Sequence, residues 1–99
     1  MADSLDLVRQ RFGRNLRAAR RRVGMSQEDL GWYATLHRTE IGLLERGDRV
    51  PRIDTLIKLS AALSMLPGDL LEGIDFELDA TARGPRTPSG LFRVASDNG

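Results

Sequence analysis

The apolar residues of the first quarter of the chain fall on one side of a helix. Val8, Phe12, Leu16, Ala19 and Val23 recur at steps of four, four, three and four, the spacing of a 3.6-residue repeat. The pattern predicts a first helix over residues 5–23, stopped by Gly24. A second start signal follows at once: Ser26 is a good N-cap, Asp29 stands three residues on as in a capping box, and Met25 is placed to staple onto Leu30. The second helix is therefore SQEDLGWYA. Thr35 and Leu36 make a tight link, and His37 takes the N-cap position of a third helix, RTEIGLLER, which turns Ile41 and Leu44 inward and stops at Gly47. Pro51 forbids a helix through GDRVP. Ile53, Leu56, Ile57, Ser60 and Leu63 then outline a fourth helix, and Pro67 with Leu70 and Leu71 before Gly73 a short fifth.

Beyond Gly73 the pattern changes. IDFEL and LFRV are rich in β-formers and flank ATARGPRTPSG, a linker by composition. The expectation is an all-α, five-helix domain over residues 5–73 and a C-terminal tail, 74–99, in which residues 74–78 pair with 91–94 within the chain or across a dimer. A lone two-stranded ribbon is marginal in water, so Phe92 is expected to pack on Trp32 or on the fifth helix.

A chain of 99 residues suits one hydrophobic core. No apolar run approaches the roughly 18–20 residues of a membrane helix, and the N-terminus has acids before its bases rather than a secretory signal, so a cytoplasmic protein without a membrane partner is expected. Cysteine is absent and histidine single, which excludes disulfide scaffolds, paired-ligand zinc sites and Cys-His catalysis together. With no nucleophile–base pair and no phosphate loop, the sequence offers no catalytic residues, no metal ligands and no cofactor site. The net charge of +1 conceals an asymmetry: residues 9–22 hold seven arginines and no acid, the footprint of a polyanionic partner.

Two short helices joined by a tight turn inside a helical domain form the plan that sets a second helix into the major groove of DNA, although helical hairpins that bind nothing share the spacing. On the third helix, positions 38, 39, 42 and 43 lie opposite Ile41 and Leu44 and face water or a partner.

The residues themselves narrow this. The run SQEDLGWYATLHRTEIGLLERGDRVPRIDTLIKLSAALSMLPGDLL resembles, without a gap, the Cro and phage-repressor (XRE) helix-turn-helix family. The likeness includes the Ser-Gln opening, Ile41, the Glu-Arg-Gly stop at 45–47, and Pro51 followed by Ile53, Asp54, Thr55 and Leu56; with the first helix it spans residues 8–72. It implies double-stranded DNA as partner and a homodimer. The DNA-facing groups it implies are Gln27, Arg38, Thr39 and Leu43, with His37, Arg46 and Arg49 near phosphates. Arg20 and Glu45 take the positions of a structural ion pair that ties the first helix to the end of the third. Glu40 is expected to close its helix cap or to answer the helix dipole rather than to read cytosine.

The chain also departs from the family. Gly31 stands where alanine is usual, and Thr35 where the turn usually has glycine; a β-branched residue is strained at positive φ, so Thr35 is expected to avoid the left-handed region. Arg52 replaces a common serine cap and is expected to reach phosphate, and Trp32 and Tyr33, where relatives carry charge, are expected to cover a neighbouring helix or the tail. The function implied is a sequence-specific transcriptional regulator acting as a dimer on a roughly palindromic operator. Within the same fold stand an antitoxin or a restriction–modification controller; a protein-interaction adaptor that lost DNA binding is the rival, with the tail as a surface for a protein partner. The adaptor need not keep Gln27, Arg38 and the basic flanks, and this chain has them.

Overall fold

The computed structural model describes residues 4–78 and 89–95. Its elements are α1 (Ser4–Arg22), α2 (Gln27–Ala34), α3 (Arg38–Glu45), α4 (Ile53–Ala62), a 3-10 turn (Pro67–Leu71), β1 (Ile74–Leu78) and β2 (Gly90–Val94). The inward positions of the first helical repeat, Phe12, Leu16 and Ala19, meet Leu30, Ala34, Ile41, Leu44, Leu59, Leu63 and Leu70 in one core. Each fully buried large side chain contributes about 1.5–3 kcal/mol by leaving water. α1 can lie tight against the end of α3 because Gly13 has no side chain: a Cβ there would stand 2.5 Å from the Glu45 carbonyl oxygen.

The expected fifth helix is not an α-helix, so the described residues hold four α-helices rather than five. Between Pro67, which lacks an N–H, and Gly73, at φ +81°, there is room for one tight turn only. Its backbone bonds run three residues apart, from Asp69 N–H to the Leu66 carbonyl (2.9 Å) and from Glu72 N–H to that of Asp69 (3.4 Å). The Asp69 carboxylate accepts from the Leu66 N–H at 2.9 Å, and Leu70 anchors the turn in the core.

α4 is rotated from its expected setting. Thr55, Leu59 and Ser60 are its buried residues, whereas Ile53 and Ile57 are 78% and 53% exposed. Ser60 satisfies its buried hydroxyl by donating to the Ile57 carbonyl at 3.0 Å.

β1 and β2 form an antiparallel pair within the chain, with Ile74 opposite Val94, Phe76 opposite Phe92 and Leu78 opposite Gly90. Phe92 meets Phe76 edge-on, ring centres 5.1 Å apart, and Trp32 is 81% exposed, so the tail does not cover Trp32 as expected. Polar bonds fasten the turn and the end of β2 to α1: Arg11 donates to the Ala95 carbonyl (2.6 Å) and, within α1, to Asn15 Oδ1 (3.0 Å), while Asn15 Nδ2 holds the end of the 3-10 turn through the carbonyls of Leu70 (3.0 Å) and Glu72 (2.9 Å). The expected linker falls mainly on residues 79–88, outside the described residues.

Candidate nucleic-acid interface

The capping chemistry between residues 26 and 37 sets the angle of the helical hairpin. Ser26 Oγ accepts from the Asp29 N–H and the Asp29 carboxylate accepts from the Ser26 N–H, both at 2.9 Å, so two otherwise orphaned donors at the start of α2 are satisfied reciprocally. His37 caps α3 through Nδ1, which accepts from the Thr39 N–H at 3.1 Å. Glu40 does not join that cap; its carboxylate pairs with Arg49 across the groove instead.

Thr35 takes the left-handed conformation after all, at φ 58° and ψ 41°. The tight link demands it: the Leu36 N–H bonds back to the Gly31 carbonyl at 2.8 Å, and a Cβ on Gly31 would come within 2.6 Å of the Leu36 oxygen. The Thr35 hydroxyl offsets part of the strain by donating to the Ala34 carbonyl at 2.6 Å. Left-handed backbone costs an L-residue about 1–2 kcal/mol, and glycine gives back about half of that through its looser unfolded state. Thr35→Gly is therefore expected to raise the melting temperature by about 4 °C; a thermal melt that falls or does not move would contradict the strain.

α3 presents its first turn to solvent. Arg38 is exposed and stands 3.6 Å from the exposed Glu28 of α2, and Thr39 beside it is exposed as well. The other two positions expected on the outer face behave differently: Gly42 is buried and Leu43 half-buried. Gly42 is roofed by its neighbours, since the Arg46 guanidinium lies 3.1 Å from where a Cβ would stand and Gln27 Oε1 3.8 Å from it. Gln27 and Arg46 thus come together at one end of α3. Gln27 donates to Glu45 Oε1 at 3.1 Å, and Arg46 Nε to the Asp48 carboxylate, also at 3.1 Å.

At the other end, a groove of about 420 Å³ runs between the start of α3 and α4, with His37, Glu40, Arg49, Arg52, Asp54 and Lys58 in its lining. Arg52 pairs with Asp54 at 3.2 Å. Lys58 was not among the residues singled out from the sequence. As the chain's single lysine, one turn beyond Asp54 on α4, it could have been found by helical spacing from Asp54.

Behind the exposed surface sits the Arg20–Glu45 pair, with side chains only 10% and 3% exposed. Arg20 Nε and Nη2 donate to the two Glu45 oxygens at 2.6 and 2.9 Å, and Nη1 donates to the Met25 carbonyl at 2.9 Å. Hydrogen bonding from Glu45, reinforced by its charge, raises the Arg20 pKa further above an already alkaline value against the opposing effect of burial. A raised folded-state value means that the guanidinium's part of this contribution is lost as the pH rises into strong alkali.

A hairpin of capped helices with an arginine-bearing exposed first turn, flanked on both sides by further arginines, defines a helix-turn-helix domain of the phage-repressor kind. The chain belongs to the helix-turn-helix family, whose model matches residues 16–71. It is 42% identical over 66 residues to control protein C.BamHI of Bacillus amyloliquefaciens, covering 66% of this chain and 82% of that one. Among solved structures, the restriction-modification controller protein C.AhdI from Aeromonas hydrophila superposes with a TM-score of 0.62 at 37% identity, over 63% of this chain and 94% of that one. The P22 c2 repressor in complex with a synthetic operator gives 0.59 at 32% identity, over 63% and 94% of the two chains. This is a family of DNA-binding regulators rather than enzymes. Among the described residues no helix is long and apolar enough to cross a membrane, and no group of acids and His is placed to hold a metal.

Proposed function

We propose that the protein is a sequence-specific DNA-binding regulator that acts as a homodimer on a two-fold operator, and that it is the controller of a restriction–modification operon. The observation that carries the DNA-binding part is the exposed first turn of α3, where Arg38 and Thr39 stand clear of the core while Arg46, Arg49 and Arg52 flank it. The likeness to C.BamHI and C.AhdI favours the controller role over other regulators of the same fold. One recognition helix reads only a few base pairs, whereas a two-fold pair reads half-sites about 34 Å apart, which is why the dimer belongs to the proposal.

In this account Arg38 and Thr39 meet base edges, with Leu43 supplying apolar contact at the groove floor, and Gln27 meets the backbone at the start of α2. His37, Arg46 and Arg49 hold phosphates, and Arg52 joins them. The arginines that would meet phosphate are each paired with a carboxylate in the free protein, Arg46 with Asp48, Arg49 with Glu40 and Arg52 with Asp54, so binding exchanges a carboxylate for a phosphate. Arg49→Ala is expected to weaken all sequences alike and to flatten the salt dependence by about one counterion. A changed preferred sequence in that variant would contradict its role as a clamp.

The test of the function is a titration of the DNA preceding the protein's own gene against a random duplex of equal length, with sedimentation of the complex. Binding to the upstream DNA at least about 10³-fold tighter, with two copies per site, is the expected result. Equal affinity for both duplexes would contradict it.

A further inference from the structure

Trp32 is the most exposed large apolar side chain in the described residues, at 81%, and it does not sit on an isolated stretch of surface. It forms one wall of a groove of about 410 Å³ whose lining is completed by Glu28, Leu36, His37 and Arg38. The groove is divided in character. Trp32 and Leu36 make an apolar side, and Arg38 and the His37 ring make a side that carries N–H donors, with the exposed Glu28 carboxylate 3.6 Å from Arg38. The groove at the α4 end differs, since charged side chains dominate its lining.

We infer that Trp32 is a DNA contact, its indole packed against the deoxyribose faces of the sugar–phosphate backbone beside the bases that Arg38 reads. The inference rests on the DNA-binding function proposed above. An apolar wall facing N–H donors matches the chemistry of that backbone, in which apolar sugar faces alternate with phosphate oxygens. The indole N–H supplies a further donor for phosphate. Continuity points to the occupant: the indole lines the same groove as Arg38 and His37 at the start of α3, so a backbone held against those two residues lies beside it. Tyr33, 64% exposed, points about 100° further around α2 and serves as an internal control.

Trp32 is the chain's single tryptophan, so its emission reports on this side chain alone. Binding is followed in parallel by the anisotropy of a labelled duplex, which shows whether DNA is bound at all. On saturation with DNA, the tryptophan emission is expected to shift to the blue and its acrylamide quenching to fall at least twofold. Trp32→Ala is expected to lower affinity about tenfold for specific and random DNA alike, because backbone contact carries no sequence information. Its salt dependence should stay unchanged, because no charge is removed, and its melting temperature should hold, because the side chain lies outside the core. Tyr33→Ala should bind as the native chain does. Unchanged quenching in a complex whose anisotropy shows bound DNA would overturn the contact while leaving the DNA-binding function intact. Protection without DNA that grows with protein concentration would also overturn it, placing Trp32 between two copies. Absence of any anisotropy change would overturn both.

Discussion

Glu45→Ala is expected to lower the melting temperature by more than about 10 °C and to leave the domain largely unfolded at moderate temperature. The Glu45 carboxylate is the meeting point of three helices. It accepts two bonds from Arg20 of α1 and one from Gln27 of α2, while its own backbone ends α3. At 3% side-chain exposure, water reaches neither the carboxylate nor, beyond a tenth, the guanidinium opposite. Removing one partner of such a pair strands a buried charge and costs about 3–5 kcal/mol, out of a total stability of about 5–15 kcal/mol for a small domain. At about 4–8 °C per kcal/mol for a domain of this size, the loss is large and easily seen by circular dichroism. An apolar exchange of both partners, Arg20→Met with Glu45→Leu, should recover much of the stability, since the charge is then removed with its counter-charge. A melt unmoved by Glu45→Ala would contradict the structural role.

Arg38→Ala is the second large effect and is expected to appear in recognition rather than in stability. The side chain is 67% exposed and its nearest carboxylate, Glu28, is 77% exposed at 3.6 Å, so the pair contributes little to folding. At the first turn of a helix lying in the major groove, the guanidinium fork matches O6 and N7 of guanine. Its loss should cost about 1–3 kcal/mol on the operator and relax the preference at one G·C pair in each half-site, while random DNA loses less. Equal weakening of operator and random DNA would show Arg38 to be a phosphate contact instead.

The parts of this architecture that were legible in the sequence depend on local chemistry. Ser26 with Asp29 announced the start of α2, His37 the start of α3, and Phe12, Leu16 and Ala19 the buried face of α1, because a cap or a helical repeat is set by residues within two turns of one another. What was not legible depends on contacts across the chain. Ile53 and Ile57 have the right spacing for a buried face, but the inward face of α4 is decided by its packing on α2 and on the 3-10 turn, which buries Leu59 with the small Thr55 and Ser60. A five-residue segment between Pro67 and Gly73 has no periodicity that separates a 3-10 turn from an α-helix.

The candidate interface divides in the same way. The family pattern marked Gln27, Arg38 and Arg49 by position, but not the carboxylate each arginine has beside it. Glu40 looks like a cap residue three places after His37, and only the fold carries Arg49 back to it over nine residues. Gly42 looks exposed on a helical wheel and is covered by Arg46 one turn on and by Gln27 of α2, and the second of these only the fold brings near. Thr35 misled for a physical reason: the turn geometry required by Gly31 and Leu36 outweighs the preference of a single β-branched residue.

The proposed role of α3 is to read DNA sequence. Selection of bound duplexes from a random library by the native chain and by Arg38→Ala tests it most directly. The native chain is expected to enrich a two-fold motif with half-sites about one helical turn, or a multiple of it, apart, and Arg38→Ala the same motif with one G·C pair per half-site left open. A native chain that enriches no motif, or a variant whose motif is unchanged at every position, would contradict it.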